Sequence, residues 1–214
     1  MPDAVLYSFR RCPYAMRARL ALVVSGMICE LREVRLSAKP EAMISASAKG
    51  TVPVLVLPTD TVIDQSIDIM RFALGQRDPE RWLERDDNDL IARNDGAFKH
   101  HLDRYKYPER YDGNQQAHRD EGLMILRDLD DLLASSGQLS GNSRGLTDAA
   151  VFPFVRQFAA VDRAWFDTQD LPHLHTWLSG HLESRLFAAI MERAAPWTPG
   201  DAPVMLQGTE PDLL

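Results

Sequence analysis

The 214-residue chain is 45% hydrophobic and 26% charged, with a formal net charge of −7 at pH 7, ordinary values for a protein that buries its core without staples. The charge is uneven: residues 1–80 hold 10 Lys and Arg against 9 Asp and Glu, and residues 81–214 hold 14 against 22. The acidic back part argues against nucleic acid or an anionic membrane as partner, and two cysteines are too few for a secreted disulfide framework.

No apolar run approaches the roughly 20 residues that span a bilayer. Met1-Pro2-Asp3 is not followed by a basic segment, an apolar stretch and a cleavage site. A reducing, cytoplasmic setting is therefore expected.

In chain order, Ala4-Val5-Leu6-Tyr7-Ser8-Phe9 is a short β-branched and aromatic run that predicts a buried strand. After Arg10-Arg11-Cys12-Pro13, apolar residues at Met16, Leu20, Val23 and Met27 predict an amphipathic helix, with Gly26 as its terminator. Cys29 to Leu36 alternates as a second strand, which makes a βαβ unit with parallel strands. Residues 37–50 predict a loop with a short helix. Val54-Leu55-Val56-Leu57 and Thr61-Val62-Ile63 flank the turn residues Pro58-Thr59-Asp60 and predict an antiparallel hairpin. Asp64-Gln65-Ser66 opens a helix. This order, β-α-β then β-β-α, is thioredoxin-like.

Residues 78–89 are charged and predict a linker between a domain at 1–77 and an all-helical one at 90–214. The helical patterns are Leu90–Tyr105, Ala117–Ala134, Leu146–Phe158 and Pro172–Ala195. The tail from Pro196 to Leu214 has four prolines and two glycines and predicts an extended end.

A thiol is a nucleophile as thiolate, and its free pKa is about 8.5. Cys12 stands at a predicted helix start, where unpaired N–H groups favour negative charge; Pro13 suits the first turn, and Arg10 and Arg11 lie upstream. Position 15 is Ala15, so no intramolecular thiol resolves a disulfide at Cys12. Mixed disulfides resolved by an external thiol are expected, with glutathione the abundant candidate. Cys29, inside a strand, reads as core.

The segment Tyr7-Ser8-Phe9-Arg10-Arg11-Cys12-Pro13-Tyr14-Ala15-Met16-Arg17 resembles the opening of cysteine-type glutathione transferases, the omega-like group above all. Lys39-Pro40-Glu41, Val52-Pro53-Val54-Leu55 and Gln65-Ser66 before a helix extend the likeness in order. The resemblance implies a thioredoxin-like α/β N-terminal domain followed by an all-α C-terminal domain. It implies that Cys12 forms the mixed disulfide with glutathione and that Lys39 binds the tripeptide's terminal carboxylate. By the same resemblance, Val52 precedes a cis Pro53 and pairs with the cysteinyl part, and Gln65 and Ser66 hold the γ-glutamyl group. The omega-like group more often carries Glu where Gln65 stands. The family's Ser or Thr three residues before a helical-domain Asp is here Gly145, before Asp148.

The implied activity is glutathione-dependent thiol transfer or reduction, for instance of dehydroascorbate. Glutathione is the co-substrate, a small-molecule or protein thiol or disulfide the other substrate, and a homodimer the family's habit. Two alternatives stand: conjugation of electrophiles through Ser8 or a backbone donor, and a non-catalytic glutathione-fold binding protein. Arg104, Tyr105 and Tyr107 are candidates for the second-substrate pocket by the same likeness. Tyr7 reads as packing. His100 and His101 are adjacent and point apart on a helix, and His173 and His175 are two apart, so no metal is expected at either pair.

Overall fold

A computed structural model describes residues 4–206; Met1-Pro2-Asp3 and 207–214, the end of the proline-bearing tail, lie outside them. The described residues form two units. One runs to Leu83 and resumes at Ser184; the other is Glu84–Glu183.

The first unit is built on a five-stranded mixed sheet. β1 (Val5–Ser8) lies parallel to β2 (Cys29–Glu33) and antiparallel to β3 (Val54–Val56), and β3 pairs with β4 (Val62–Ile63). The predicted parallel pair and hairpin are both present. The hairpin turn closes through Asp60, whose φ of 61° is left-handed, a conformation Asp tolerates better than most residues. β5 (Met205–Leu206) adds to the free edge of β2, giving the order β4-β3-β1-β2-β5. The extended tail is thus pinned along β2. The Trp197 N–H donates to the Glu33 carbonyl at 2.8 Å, and its ring meets Tyr7 edge-on at 6.2 Å.

α1 (Pro13–Ser25) ends in the left-handed Gly26, and the Met27 N–H returns to the Leu22 carbonyl at 3.1 Å, a C-terminal closure that favours glycine. The amphipathic stripe expected here is not what forms: α1 is buried on nearly every side, including Arg17 and Arg19. The reason is position. The sheet lies beside it, α3 (Ser66–Gln76) packs along it, and α10 (Arg185–Ile190) covers it further. α2 (Glu41–Ala46) is the short helix in the 37–50 segment. Within 78–89, Asp78 accepts the Trp82 and Leu83 N–H groups at 2.8 Å each, and the Trp82 ring is buried.

In the second unit the first helical pattern is α4 (Asn88–Arg93), a π turn over Asn94–Phe98, and α5 (Lys99–Lys106). The π turn inserts a residue into the 3.6 period, and Phe98, Leu102 and Tyr105 continue the buried face. α6 (Gln115–Ser136) is capped by Asn114, which accepts the Gln116 and Ala117 N–H groups. α7 (Leu146–Ala159), α8 (Arg163–Asp167) and α9 (Pro172–Glu183) complete it. The helix expected over 172–195 breaks at Ser184, which is extended and caps the Phe187 N–H of α10 at 3.1 Å.

At the head of α7, buried Asp148 accepts the Leu139 N–H, the Trp177 indole N–H and the Gly145 N–H at 2.8, 2.9 and 3.0 Å. Gly145 is no idle change from a Ser or Thr cap. A Cβ there would lie 2.5 Å from the Arg85 Cβ and 3.1 Å from its carbonyl, so Arg85 occupies the space a larger cap needs. Thr147 bridges instead, donating to the Arg85 carbonyl and accepting the Asp87 N–H.

Candidate active site

Cys12 is the N-cap of α1, with extended backbone (φ −75°, ψ 124°) and Pro13 directly after it. Its N–H donates back to the Phe9 carbonyl at 3.0 Å, and its carbonyl accepts the Met16 N–H at 2.9 Å. These bonds fix the sulfur at the mouth of the helix, where the unpaired first-turn N–H groups and the dipole favour a thiolate. The residue is half-buried. The thiol donates to the Val52 carbonyl at 3.8 Å, and the peptide from Val52 to Pro53 is cis. Val52 belongs to a cluster with Tyr7, Val34, Met43 and Val54, and Cys12 packs against it.

Behind the sulfur lies a charged layer that the sequence reading did not assign. Arg19 is buried; it donates to the Ser8 hydroxyl and to the Arg10 carbonyl at 2.7 Å each. Burial pushes its pKa down to about 10, while Glu33 and then Cys12 pull it back up. Arg19 therefore remains a cation at neutral pH, within electrostatic reach of the sulfur. Glu33 accepts the Arg10 N–H at 2.8 Å; burial raises its pKa, against the pull of that N–H and of Arg19. The Arg10 backbone, two residues from Cys12, is thus held at both its N–H and its carbonyl. The visible signal was a pair of arginines two apart in an otherwise apolar helix.

The other predicted residues are held by contacts of their own. Ser66 is buried at the start of α3 and accepts the Arg17 Nε–H at 2.9 Å, so α1 itself orients that hydroxyl. Gln65, its neighbour, is exposed at the N-cap of α3. Asp64 ties down the preceding loop: it accepts from the Ser47 hydroxyl and the Lys49 ammonium at 2.7 Å each. Lys39 is exposed, and a Cβ at Gly50 would sit 3.6 Å from its Nζ. That places its ammonium over the turn two residues ahead of Val52.

Cys29 is fully buried, and burial pushes its thiol up to about 12, as a core cysteine requires. Tyr7 is buried too, its hydroxyl accepting from Arg32 at 2.8 Å.

In the second unit, Tyr105 is buried with its ring 5.0 Å from Phe158 and 6.3 Å from Trp165. Burial, then Asp162, raises its pKa. Arg104 lies over the Tyr111 ring, and Tyr107 beneath Arg110.

A thioredoxin-like α/β unit, with a cysteine at the N-cap of its first helix and a cis-proline near it, followed by a helical unit, defines a two-part class of proteins. Family comparison agrees. Residues 6–82 match the model described as glutathione S-transferase, N-terminal domain, and residues 88–179 match glutathione S-transferase, C-terminal domain. The chain belongs to the glutathione S-transferase family.

Its likeness to the omega class is weak. The rat protein "Glutathione S-transferase omega-1" (Rattus norvegicus) is 33% identical over 82 residues, 38% of this chain and 34% of that protein. A "Probable glutathione transferase" of Aplysia californica is 40% identical over 47 residues, 22% of this chain and 51% of that one. The match therefore spans about a third of the omega-1 protein and about half of the Aplysia one.

Among solved structures, a glutathione transferase family member from Pseudomonas fluorescens with two glutathione bound superposes with a TM-score of 0.74. It is 17% identical, over 90% of this chain and 94% of that one. A Pseudomonas putida glutathione transferase with one glutathione disulfide bound per subunit gives 0.73 at 16% identity, over 89% and 91%. At that identity the likeness establishes the fold.

Proposed function

We propose that the protein is a glutathione-dependent thiol transferase that works through a mixed disulfide at Cys12. The observation that carries this reading is half-buried Cys12 at the N-cap of α1, its sulfur 3.8 Å from the Val52 carbonyl beside cis Pro53. The Cys12 thiolate attacks the glutathione-side sulfur of a mixed disulfide. A Cys12–glutathione disulfide forms, and the substrate sulfur leaves as thiolate and takes a proton. The thiolate of a second glutathione attacks the glutathione sulfur on Cys12. Glutathione disulfide leaves, and Cys12 returns as thiolate. Ala15 at the position of a resolving cysteine supports the use of an external thiol.

In this reading Lys39 meets the glycyl carboxylate and the Val52 backbone the cysteinyl part. Ser66, oriented by Arg17, holds the γ-glutamyl end together with Gln65 and the first N–H groups of α3. Reduction of dehydroascorbate, which carries no sulfur, would differ in its first step: two glutathione molecules supply two electrons and two protons, giving ascorbate and glutathione disulfide. The conjugating alternative through Ser8 finds less support, because the Ser8 hydroxyl is fully buried and accepts from Arg19. A cytoplasmic homodimer is proposed on the family's habit; among the described residues no helix is long and apolar enough to cross a membrane.

The test is mass spectrometry after incubation with glutathione disulfide. One glutathione adduct on Cys12 is expected, with none on Cys29, and Cys12→Ala should reduce thiol transfer to background while the protein still binds immobilised glutathione. Absence of the adduct, or full transfer activity in Cys12→Ala, refutes the mechanism.

A further inference from the structure

The six histidines of the chain are unevenly placed, and three meet at one corner of the helical unit. His100 and His101 lie on α5, and His118 lies in the first turns of α6. As neighbours on one helix, the first two do not form a ligand pair alone. The first turns of α6 supply the third ring. One ring nitrogen from each of the three residues lies within 4.8 Å of the others. The Nδ1 atoms of His101 and His118 are 3.0 Å apart, and the ring centroids are separated by 5.0, 5.7 and 5.2 Å.

The corner is also held in place by hydrogen bonds that do not use the histidine rings. The Gln115 side-chain amide donates to the Tyr105 carbonyl at 2.8 Å, joining the end of α5 to the start of α6. Asn114 caps α6 and accepts the His118 N–H at its own carbonyl. The charged groups around the rings are Asp103, Arg104 and Glu121. Asp103 is paired with Lys99, and Arg104 lies over Tyr111 while donating to the His100 carbonyl.

Tetrahedral coordination with metal–nitrogen bonds of ~2.0–2.1 Å places ligand nitrogens roughly 3.3–3.4 Å apart. Modest side-chain rotation brings the present spacings to that value. His100 is exposed and the other two are half-buried, so a fourth position faces solvent and suits a water.

We propose that His100, His101 and His118 form a three-histidine site for a borderline divalent transition-metal ion of the zinc class, completed by a water. Imidazole suits zinc, nickel and copper, whereas magnesium and calcium take oxygen ligands. The site does not depend on the thiol chemistry at Cys12. A bound ion would clasp the end of α5 to the first turns of α6.

The experiment uses untagged full-length protein in a Cys12→Ser background, so that the Cys12 thiol does not compete for metal. Cobalt(II) is titrated and followed by visible absorption, then displaced by zinc(II). One saturable equivalent is expected. His101→Gln and His118→Gln are each expected to weaken binding at least ~10-fold, with His173→Gln unchanged. Imidazole NMR of the same background protein with its six histidines intact, titrated with zinc(II), gives a readout independent of any variant's folding; three histidines should shift and three should not. Binding of no equivalent, binding unaffected by the two variants, or shifts at other histidines would overturn the proposal.

Discussion

His181 offers a quantitative test of how the helical unit is packed. It is buried on α9, stacked on Phe152 at 5.0 Å and 13°, edge-on to Trp177, and 3.2 Å from the Gln138 side-chain oxygen through Nε2. Burial, with Arg144 nearby, pushes its pKa from 6.5 down to about 3. The unfolded chain therefore takes up a proton below pH 6.5, while the native ring stays neutral until about pH 3. Across that window the unfolded state binds more protons, so stability falls as pH falls.

The slope is about 1.4 kcal/mol per pH unit, so by pH 5 this residue alone removes about 2 kcal/mol. His181→Phe keeps a ring in the stack and has no such titration. Urea unfolding followed by far-UV circular dichroism, at pH 7 and pH 5, should show the original protein losing about 2 kcal/mol more than the variant. Other groups, including Asp148, titrate alike in both proteins and cancel in the difference. Parallel losses would refute the reasoning and mean that His181 is protonated in the native state.

Two further outcomes follow from burial and close approach. Gly145→Ser, which restores the family's cap, should lower stability by about 1–3 kcal/mol, because the new Cβ meets Arg85 at 2.5 Å; a denaturation midpoint that rises would refute this. Iodoacetamide should alkylate Cys12 in the native protein and leave Cys29 untouched until urea is added, since Cys29 is fully buried with its thiol pushed up to about 12; peptide mapping of the labelled sites checks it.

The strand and helix order of residues 4–76 was legible because each signal is local. β-branched runs mark β1 and β3, Pro13 and Gly26 bracket α1, and Pro58-Thr59-Asp60 marks the hairpin turn. Cys12 was legible for the same reason, since a cysteine before a proline at a helix start is a feature of four or five consecutive residues. The break at Ser184 was not. Pro172 to Ala195 carries a helical pattern, and the cap that Ser184 gives the Phe187 N–H separates α9 from α10, a helix whose packing partner is α1.

What the chain determined by itself was periodicity, punctuation and the chemical identity of the nucleophile, all set by neighbours in sequence. Tertiary structure alone decided what happens between residues far apart. It buried Arg19 behind Cys12 between Ser8 and Arg10, oriented Ser66 through Arg17, set Arg85 against Gly145, and brought His118 to His100 and His101. Such placements depend on which helix faces pack against which neighbours, and a one-dimensional pattern of apolar and polar residues specifies that a face is buried without specifying what it meets.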